Sequence, residues 1–169
     1  MQAELTVSPV EIRPATPADA AAIWRIIGPV IRTGETYALP RDMPERDALA
    51  YWLGDDRETF VAVSGGEILG TYYLRPNQQG GGAHVANCGY MTDAAATGRG
   101  LARRMCEHSL EQTRVRGYRA MQFNFVVSTN ERAVRLWQSL GFEILARLPL
   151  AFHHPTRGYV DALVMFRTL

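Results

Sequence analysis

The feature that most constrains this chain is a strand–helix–strand unit at its centre. Residues 84–92 read HVANCGYMT, a β-rich run, and residues 97–100 read TGRG. Leu101, Met105, Cys106, Ser109, Leu110 and Thr113 then recur at helical spacing, and Gly117 follows as a helix stop. Met121 to Val127 is β-rich again. A helix between two strands of one sheet carries the chain back over it, so the two strands run parallel.

The flanking segments fill in the rest. A strand at Val10–Arg13 leads into Thr16-Pro17-Ala18-Asp19, where Thr16 suits an N-cap, Pro17 the first helical position and Asp19 the first turn. The helix carries Ile23, Trp24, Ile26, Ile27, Val30 and Ile31 and ends near Gly34; a shorter one is predicted from Pro44 to Leu53, with Leu49, Trp52 and Leu53 on one side. Thr59–Val63 and Ile68–Leu74 flank Ser64-Gly65-Gly66-Glu67 as a hairpin. After the central unit, Thr129 or Ser128 caps a helix bearing Ala133, Val134, Leu136, Trp137 and Leu140, which Gly141 stops. Strands near Glu143–Leu148 and Tyr159–Phe166 finish the chain. The expected fold is α+β: a mixed, mainly antiparallel sheet of about seven strands with helices on both faces. With no repeats or linkers, residues 1–169 read as a single domain.

Bulk properties exclude several classes. A net charge of +1 gives no general pull towards nucleic acid or an anionic membrane, and argues against a polynucleotide binder built on Arg99, Arg103, Arg104, Arg114, Arg116 and Arg119. No apolar run approaches the roughly 18 residues of a membrane span. The N-terminus lacks a signal-peptide pattern, and the lone Cys88 and Cys106 read as reduced thiols, so the expectation is a cytoplasmic protein. His84, His153, His154 and Asp161 lack metal-ligand spacing, no metal is expected, and His153-His154-Pro155 reads as a surface loop. A homodimer is left open.

Glycine is a poor helix former, so Gly98 and Gly100 are an odd way to begin a helix. Such a turn leaves backbone N–H groups pointing one way at the positive end of the helix dipole, which suits a phosphate, although a tight turn with no ligand also uses glycine. A phosphate-cradling G-x-x-x-x-G-K-[ST] is absent, and the dinucleotide fingerprint fails because Arg103 sits at its third small position. Arg99, Arg103 and Arg104 stand where the dipole disfavours cations unless an anion is present.

Two patches resemble one family, the GCN5-related N-acetyltransferases. Thr97-Gly98-Arg99-Gly100-Leu101-Ala102 is similar to its acetyl-CoA loop, Gln/Arg-x-x-Gly-x-Gly/Ala, with Thr97 departing at the first position. Asn130 to Phe142, NERAVRLWQSLGF, resembles its Asn-x-x-Ala-x-x-x-Tyr-x-x-x-Gly-Phe helix. The resemblance implies a sheet splayed between strands four and five. It places the coenzyme A pyrophosphate at Gly98, Arg99, Gly100, Leu101, Ala102 and Arg103. The pantetheine arm would run along Tyr90, Met91 and Thr92 beside Asn130, with a backbone N–H near Tyr90 or Met91 facing the developing oxyanion.

This chain also departs from the pattern. Trp137 stands where the family often has an acidic tyrosine, and indole N–H is not a useful acid. Phe125 replaces a glutamate base found in some members. The stretches HVANCGY and FNFVVSTN, and the preceding GTYYLRPN at residues 70–77, are similar to fungal members acting on proline-like imino acids such as azetidine-2-carboxylate. That narrower resemblance assigns Asn87 to the substrate nitrogen, as the catalytic residue, and the backbone of Asn124 and Phe125 to the carboxylate. Asparagine is also poor in strand interiors, so each amide is either satisfied structurally or aimed at a ligand. The expected function is acetyl transfer from acetyl-CoA to a small amine, amino or imino acid. A protein N-terminal or lysine acetyltransferase and a non-catalytic acyl-CoA sensor are the alternatives. Thr33-Gly34-Glu35-Thr36-Tyr37 is either a plain inter-helix loop or a cover with Glu35 or Tyr37 facing an amine.

Overall fold

The computed structural model describes residues 8–169, and its elements follow the predicted order. They are β1 (Val10–Pro14), α1 (Ala20–Thr33), α2 (Glu45–Trp52), β2 (Glu58–Ser64), β3 (Glu67–Pro76), β4 (Val85–Thr92), α3 (Leu101–Val115), β5 (Ala120–Val127), α4 (Glu131–Ser139), β6 (Glu143–His154) and β7 (Gly158–Thr168). Seven strands form one sheet in the order β1-β2-β3-β4-β5-β7-β6. The β4–β5 pair is parallel and the others are antiparallel.

Both faces of the sheet are covered, and strand alternation explains how. On β3, Tyr72 enters one core and its neighbour Tyr73 the other. Ile23, Ile26, Ile27 and Ile31 make one stripe of α1 and pack with Trp52 onto Val61, Tyr73 and Met91. On the opposite face, Leu101, Met105 and Leu110 of α3 and Trp137 of α4 cover Tyr72, Leu74 and Phe123. The packing face of α2 centres on buried Ala48 and Trp52, with the predicted Leu49 and Leu53 half-buried against the same core. The indole N–H of Trp52 donates to buried Thr71 Oγ1 at 2.9 Å, and this bond fixes the helix rotation.

The entry to α1 is a 3₁₀ turn at Pro17–Asp19. The Asp19 carboxylate accepts from the Thr16 N–H at 2.7 Å and takes both guanidinium nitrogens of Arg13 at 2.8 and 3.0 Å. The Arg13 bond is the main reason that its pKa falls from 3.8 to about 2. A group held below its unfolded pKa stabilises the fold above that value and stops doing so as pH falls through the lower one. Asp19→Asn should therefore cost about 1–2 kcal/mol at neutral pH. In urea titrations the gap to wild type should close between pH 4 and pH 2; a gap constant over that range would show that charge is not the cause.

The last hairpin is longer than predicted. The strands near 143–148 and 159–166 are parts of β6 and β7, which run to His154 and from Gly158. His153 and His154 are therefore strand residues rather than a loop. His153 stacks on Tyr159 with centroids 4.6 Å apart, and buried His154 accepts the Thr156 N–H at Nδ1, 3.2 Å away. Pro149 and a left-handed Leu150 (φ 52°) fall inside a register break between Leu148 and Phe152, which the sequence presents as a strand end. The cap of α4 is also displaced, to Asn130 instead of Thr129 or Ser128.

Candidate functional site

The site begins where the sheet opens. Among the described residues, β4 and β5 pair at Val85 with Ala120 and Ala86 with Met121, and then separate. At the next position Asn87, 6% exposed, donates its side-chain Nδ2 to the Gln122 carbonyl at 2.9 Å. A carbonyl can only accept, so this contact identifies the nitrogen and leaves Oδ1 as the atom available to a ligand. Asn87 thus bridges the strands at the apex of the opening. Beyond it β5 carries one extra residue against β7 between Phe123 and Val126, a bulge that takes Asn124 and Phe125 out of the ladder.

The opening is the throat of a cleft of about 760 Å³. One end holds the glycine turn. Gly98 and Gly100 have φ of 86° and 75°, a region other residues enter at a cost, so the backbone alone demands glycine at both. A Cβ on Gly100 would meet nothing within 4 Å, while one on Gly98 would lie 3.4 Å from the Arg132 guanidinium. The first helical bond of α3 closes at Arg104 N–H to Gly100 C=O, 3.1 Å, which leaves the N–H groups of Leu101, Ala102 and Arg103 at the cleft without helical acceptors. Arg103 also lines the cleft and reaches Ser139 Oγ on α4 at 2.7 Å.

The middle of the cleft is aromatic. Trp137, 8% exposed, packs 5.1 Å from Tyr90 and 5.2 Å from Phe123 and forms a wall. The Tyr90 hydroxyl is engaged with Ser109 Oγ at 2.6 Å, and burial pushes its pKa well up. Tyr37 donates its hydroxyl to the Tyr90 carbonyl at 2.9 Å, and burial raises its pKa too. Both phenols are neutral and committed, and neither stands ready to exchange a proton. If Trp137 is wall and not acid, Trp137→Phe should keep most of the maximal rate. Trp137→Ala should cost about 3 kcal/mol or more of stability. A rate loss beyond about a hundredfold in the phenylalanine variant, on the scale of an acid–base group, would refute this.

The structure gathers nearly every expected site residue in this cleft. Asn87, Tyr90, Met91, Thr92, Gly98, Gly100, Leu101, Ala102, Arg103, Asn124, Phe125 and Asn130 all line it. Arg99 does not; between two left-handed glycines it is exposed to solvent. The Asn124 amide is exposed and linked to Asn77 Oδ1 at 2.7 Å and Gln122 at 2.9 Å, so its side chain ties the rim. Of the loop residues, Tyr37 lines the cleft, whereas Glu35 lines a smaller neighbouring hollow of about 220 Å³ with His154. The sequence reading missed Arg132 and Arg75, both in the lining. The helix-dipole argument applied to Arg99 would have found Arg132, at the start of α4; Arg75 lies in the GTYYLRPN stretch of the fungal resemblance, which assigns it no role. Among the described residues no three His, Cys, Asp or Glu side chains gather to hold a metal ion, and no helix is long and apolar enough to cross a membrane.

Comparison with known proteins adds to this geometry. A family model described as the Acetyltransferase (GNAT) family matches residues 27–142. N-acetyltransferase aca1 of Schizosaccharomyces pombe is 30% identical over 98 residues, 57% of this chain and 47% of that protein, so the chain spans about half of that curated relative. A GCN5-related N-acetyltransferase from Kribbella flavida superposes with a TM-score of 0.90 at 43% identity, over 95% of this chain and 98% of that one. A GNAT superfamily phosphinothricin acetyltransferase from Sinorhizobium meliloti, solved in complex with acetyl-CoA, shares the fold at 18% identity with a TM-score of 0.83, over 95% and 88% of the two chains.

Proposed function

The chain belongs to the acetyltransferase (GNAT) family, and on that premise we propose that it is an acetyl-CoA-dependent N-acetyltransferase whose acceptor is a small amino or imino acid. One observation carries the reading: the sheet opens just after Ala86 and Met121, with a glycine turn at one end of the cleft and a buried asparagine at its apex. The residues fit the donor. Beyond Asn87 β5 no longer pairs with the edge of β4, and among the described residues only the Tyr90 carbonyl there is taken, by Tyr37; the unpaired edge suits an amide-bearing arm laid along Tyr90 to Thr92. The left-handed turn with open space beyond Gly100 suits a diphosphate. Bound acetyl-CoA supplies an activated thioester carbonyl.

The chain's own groups hold and orient. Asn87 Oδ1 positions the acceptor amine at the apex, and the freed backbone at Asn124 and Phe125 receives its carboxylate. Trp137 and Tyr90 exclude water from one wall. With neither a tyrosine acid nor a glutamate base at the positions of Trp137 and Phe125, rate comes from positioning of an amine that arrives deprotonated. The fungal imino-acid resemblance supports the acceptor class, and the S. pombe relative is named an N-acetyltransferase.

The test is an acceptor screen with free-thiol detection and product mass spectrometry, covering amines, amino acids, imino acids and peptides. Thioester consumption with amino or imino acids is the expected result. Acetylation of peptides alone would move the reading to a protein acetyltransferase, and tight acetyl-CoA binding with no transfer would make the chain a sensor.

A further inference from the structure

The cleft wall beside Asn87 carries a positive charge that its surroundings do not balance. Arg75 of β3 stands opposite Asn87 of β4 in register, which puts the two side chains on one face of the sheet, and both line the cleft. Behind Arg75, Arg57 grips Asp56 through two nitrogens at 2.8 and 3.1 Å and packs 4.7 and 4.8 Å from the Tyr73 and Tyr51 rings. Arg75 Nη1 reaches the same Asp56 at 3.4 Å, longer than a well-formed N–H···O bond. The neighbouring Glu58 is committed to Arg116 at 2.6 and 2.9 Å. One carboxylate therefore serves two guanidiniums.

Two nitrogens are left over. Arg57 Nη1 and Arg75 Nε are buried without a hydrogen-bond partner among the described residues, and the Arg57 side chain is only 6% exposed. Buried charged donors are costly unless an acceptor completes the set. Arg57 is locked by its two bonds and two rings. Arg75 is the loosely held member, 5.8 Å from the Tyr73 ring centroid against 4.7 Å for Arg57, with 29% of its side chain exposed.

We propose that Arg75 is the cation that receives the acceptor's carboxylate, which makes the enzyme selective for α-amino or imino acids carrying a free carboxylate. The proposal rests on the reading of this cleft as an acetyltransferase acceptor site. In an α-amino acid the amine and carboxylate hang from one carbon. A site that seats the amine at Asn87 places the carboxylate a few ångströms away, which is the spacing of cross-strand neighbours. Arg75 supplies the charge and the bulged Asn124–Phe125 backbone its neutral donors. The 2.7 Å bond from Asn124 to Asn77, two residues beyond Arg75, joins the two on one rim. A lysine side chain or a protein N-terminus carries no carboxylate beside its amine.

Steady-state kinetics with α-amino acids and azetidine-2-carboxylate, each as free acid and as carboxamide, test this. For the best acceptor, wild type should prefer the acid by about 10- to 100-fold in kcat/KM, the range for one charged hydrogen-bonded contact. Arg75→Gln should raise KM for the acid by that factor and erase the preference, with KM for acetyl-CoA unchanged. Arg75→Lys, keeping charge but losing the fork, should regain part of it. Equal losses on acid and amide would make Arg75 a prop for Tyr73 and overturn the assignment, as would a wild type that favours the amide, a result needing no variant. A wild type that acetylates none of the panel overturns both this assignment and the acceptor reading.

Discussion

Gly100→Glu should fold and lose more than about a hundredfold in acetyl-CoA affinity, because the new carboxylate enters the space proposed above for a diphosphate. Two like charges about 4 Å apart near a protein surface repel by about 4 kcal/mol, and a factor of a hundred is about 2.7 kcal/mol. The turn is exposed, so the side chain itself displaces no core atom, and nothing lies within 4 Å of the added Cβ. The φ of 75° adds a separate cost of about 1–2 kcal/mol for any L side chain. Gly100→Ala isolates that strain: it should lower stability by the same amount yet bind within about tenfold of wild type. Calorimetry on both variants, with circular dichroism as the folding check, separates the causes. Equal, small losses in the two variants would mean that strain explains everything and no anion sits there.

Asn87→Ala should lower turnover on an amino-acid acceptor by about ten- to a hundredfold, with acetyl-CoA affinity nearly unchanged. A contact made in the aligned complex is lost as kcat, whereas uniform binding is lost as KM. The structure adds a second effect. Removing Nδ2 strips the Gln122 carbonyl of its donor at the apex, at about 1–3 kcal/mol of stability. Asn87→Asp sharpens the distinction, since a carboxylate faces that carbonyl without a proton to donate and should destabilise further. With no dedicated base, wild-type turnover should climb with pH towards the pKa of the substrate amine. Profiles from pH 6 to 10 check this; a plateau well below the amine pKa would reveal a protein base, and unaltered turnover in Asn87→Ala would leave Asn87 a strand clip.

The fold was legible where local chemistry and long-range geometry agree. The α1 stripe of Ile23, Ile26, Ile27 and Ile31 and the parallel crossover between β4 and β5 follow from periodicity and chain reversal, and both stand in the structure. The glycine turn was legible for a related reason, since a left-handed backbone leaves its mark in residue type. Local signals failed where a partner strand overrides them. Pro149 and His153-His154-Pro155 look like strand ends, yet β7 holds β6 through a register break up to His154. The cleft's cations were the least legible. Arg75 lies in a strand segment marked by resemblance alone, and its relation to Asp56 and Arg57 exists only after β3 packs beside the loop before β2. Tyr37 likewise meets Tyr90 across 53 residues of sequence, which no pattern in its own loop announces.

The narrow junction between β4 and β5 has a consequence for the whole molecule. With Val85–Ala120, Ala86–Met121 and the Asn87 clip as its bridges, the sheet is two plates fastened at one corner. A donor whose amides run along β4 acts as a splint across the gap and supplies rungs that the polypeptide leaves out. Occupancy and integrity then become one quantity. The melting temperature should rise with the logarithm of donor concentration, and the amides of both plates, distant from any ligand atom, should exchange with solvent more slowly in step.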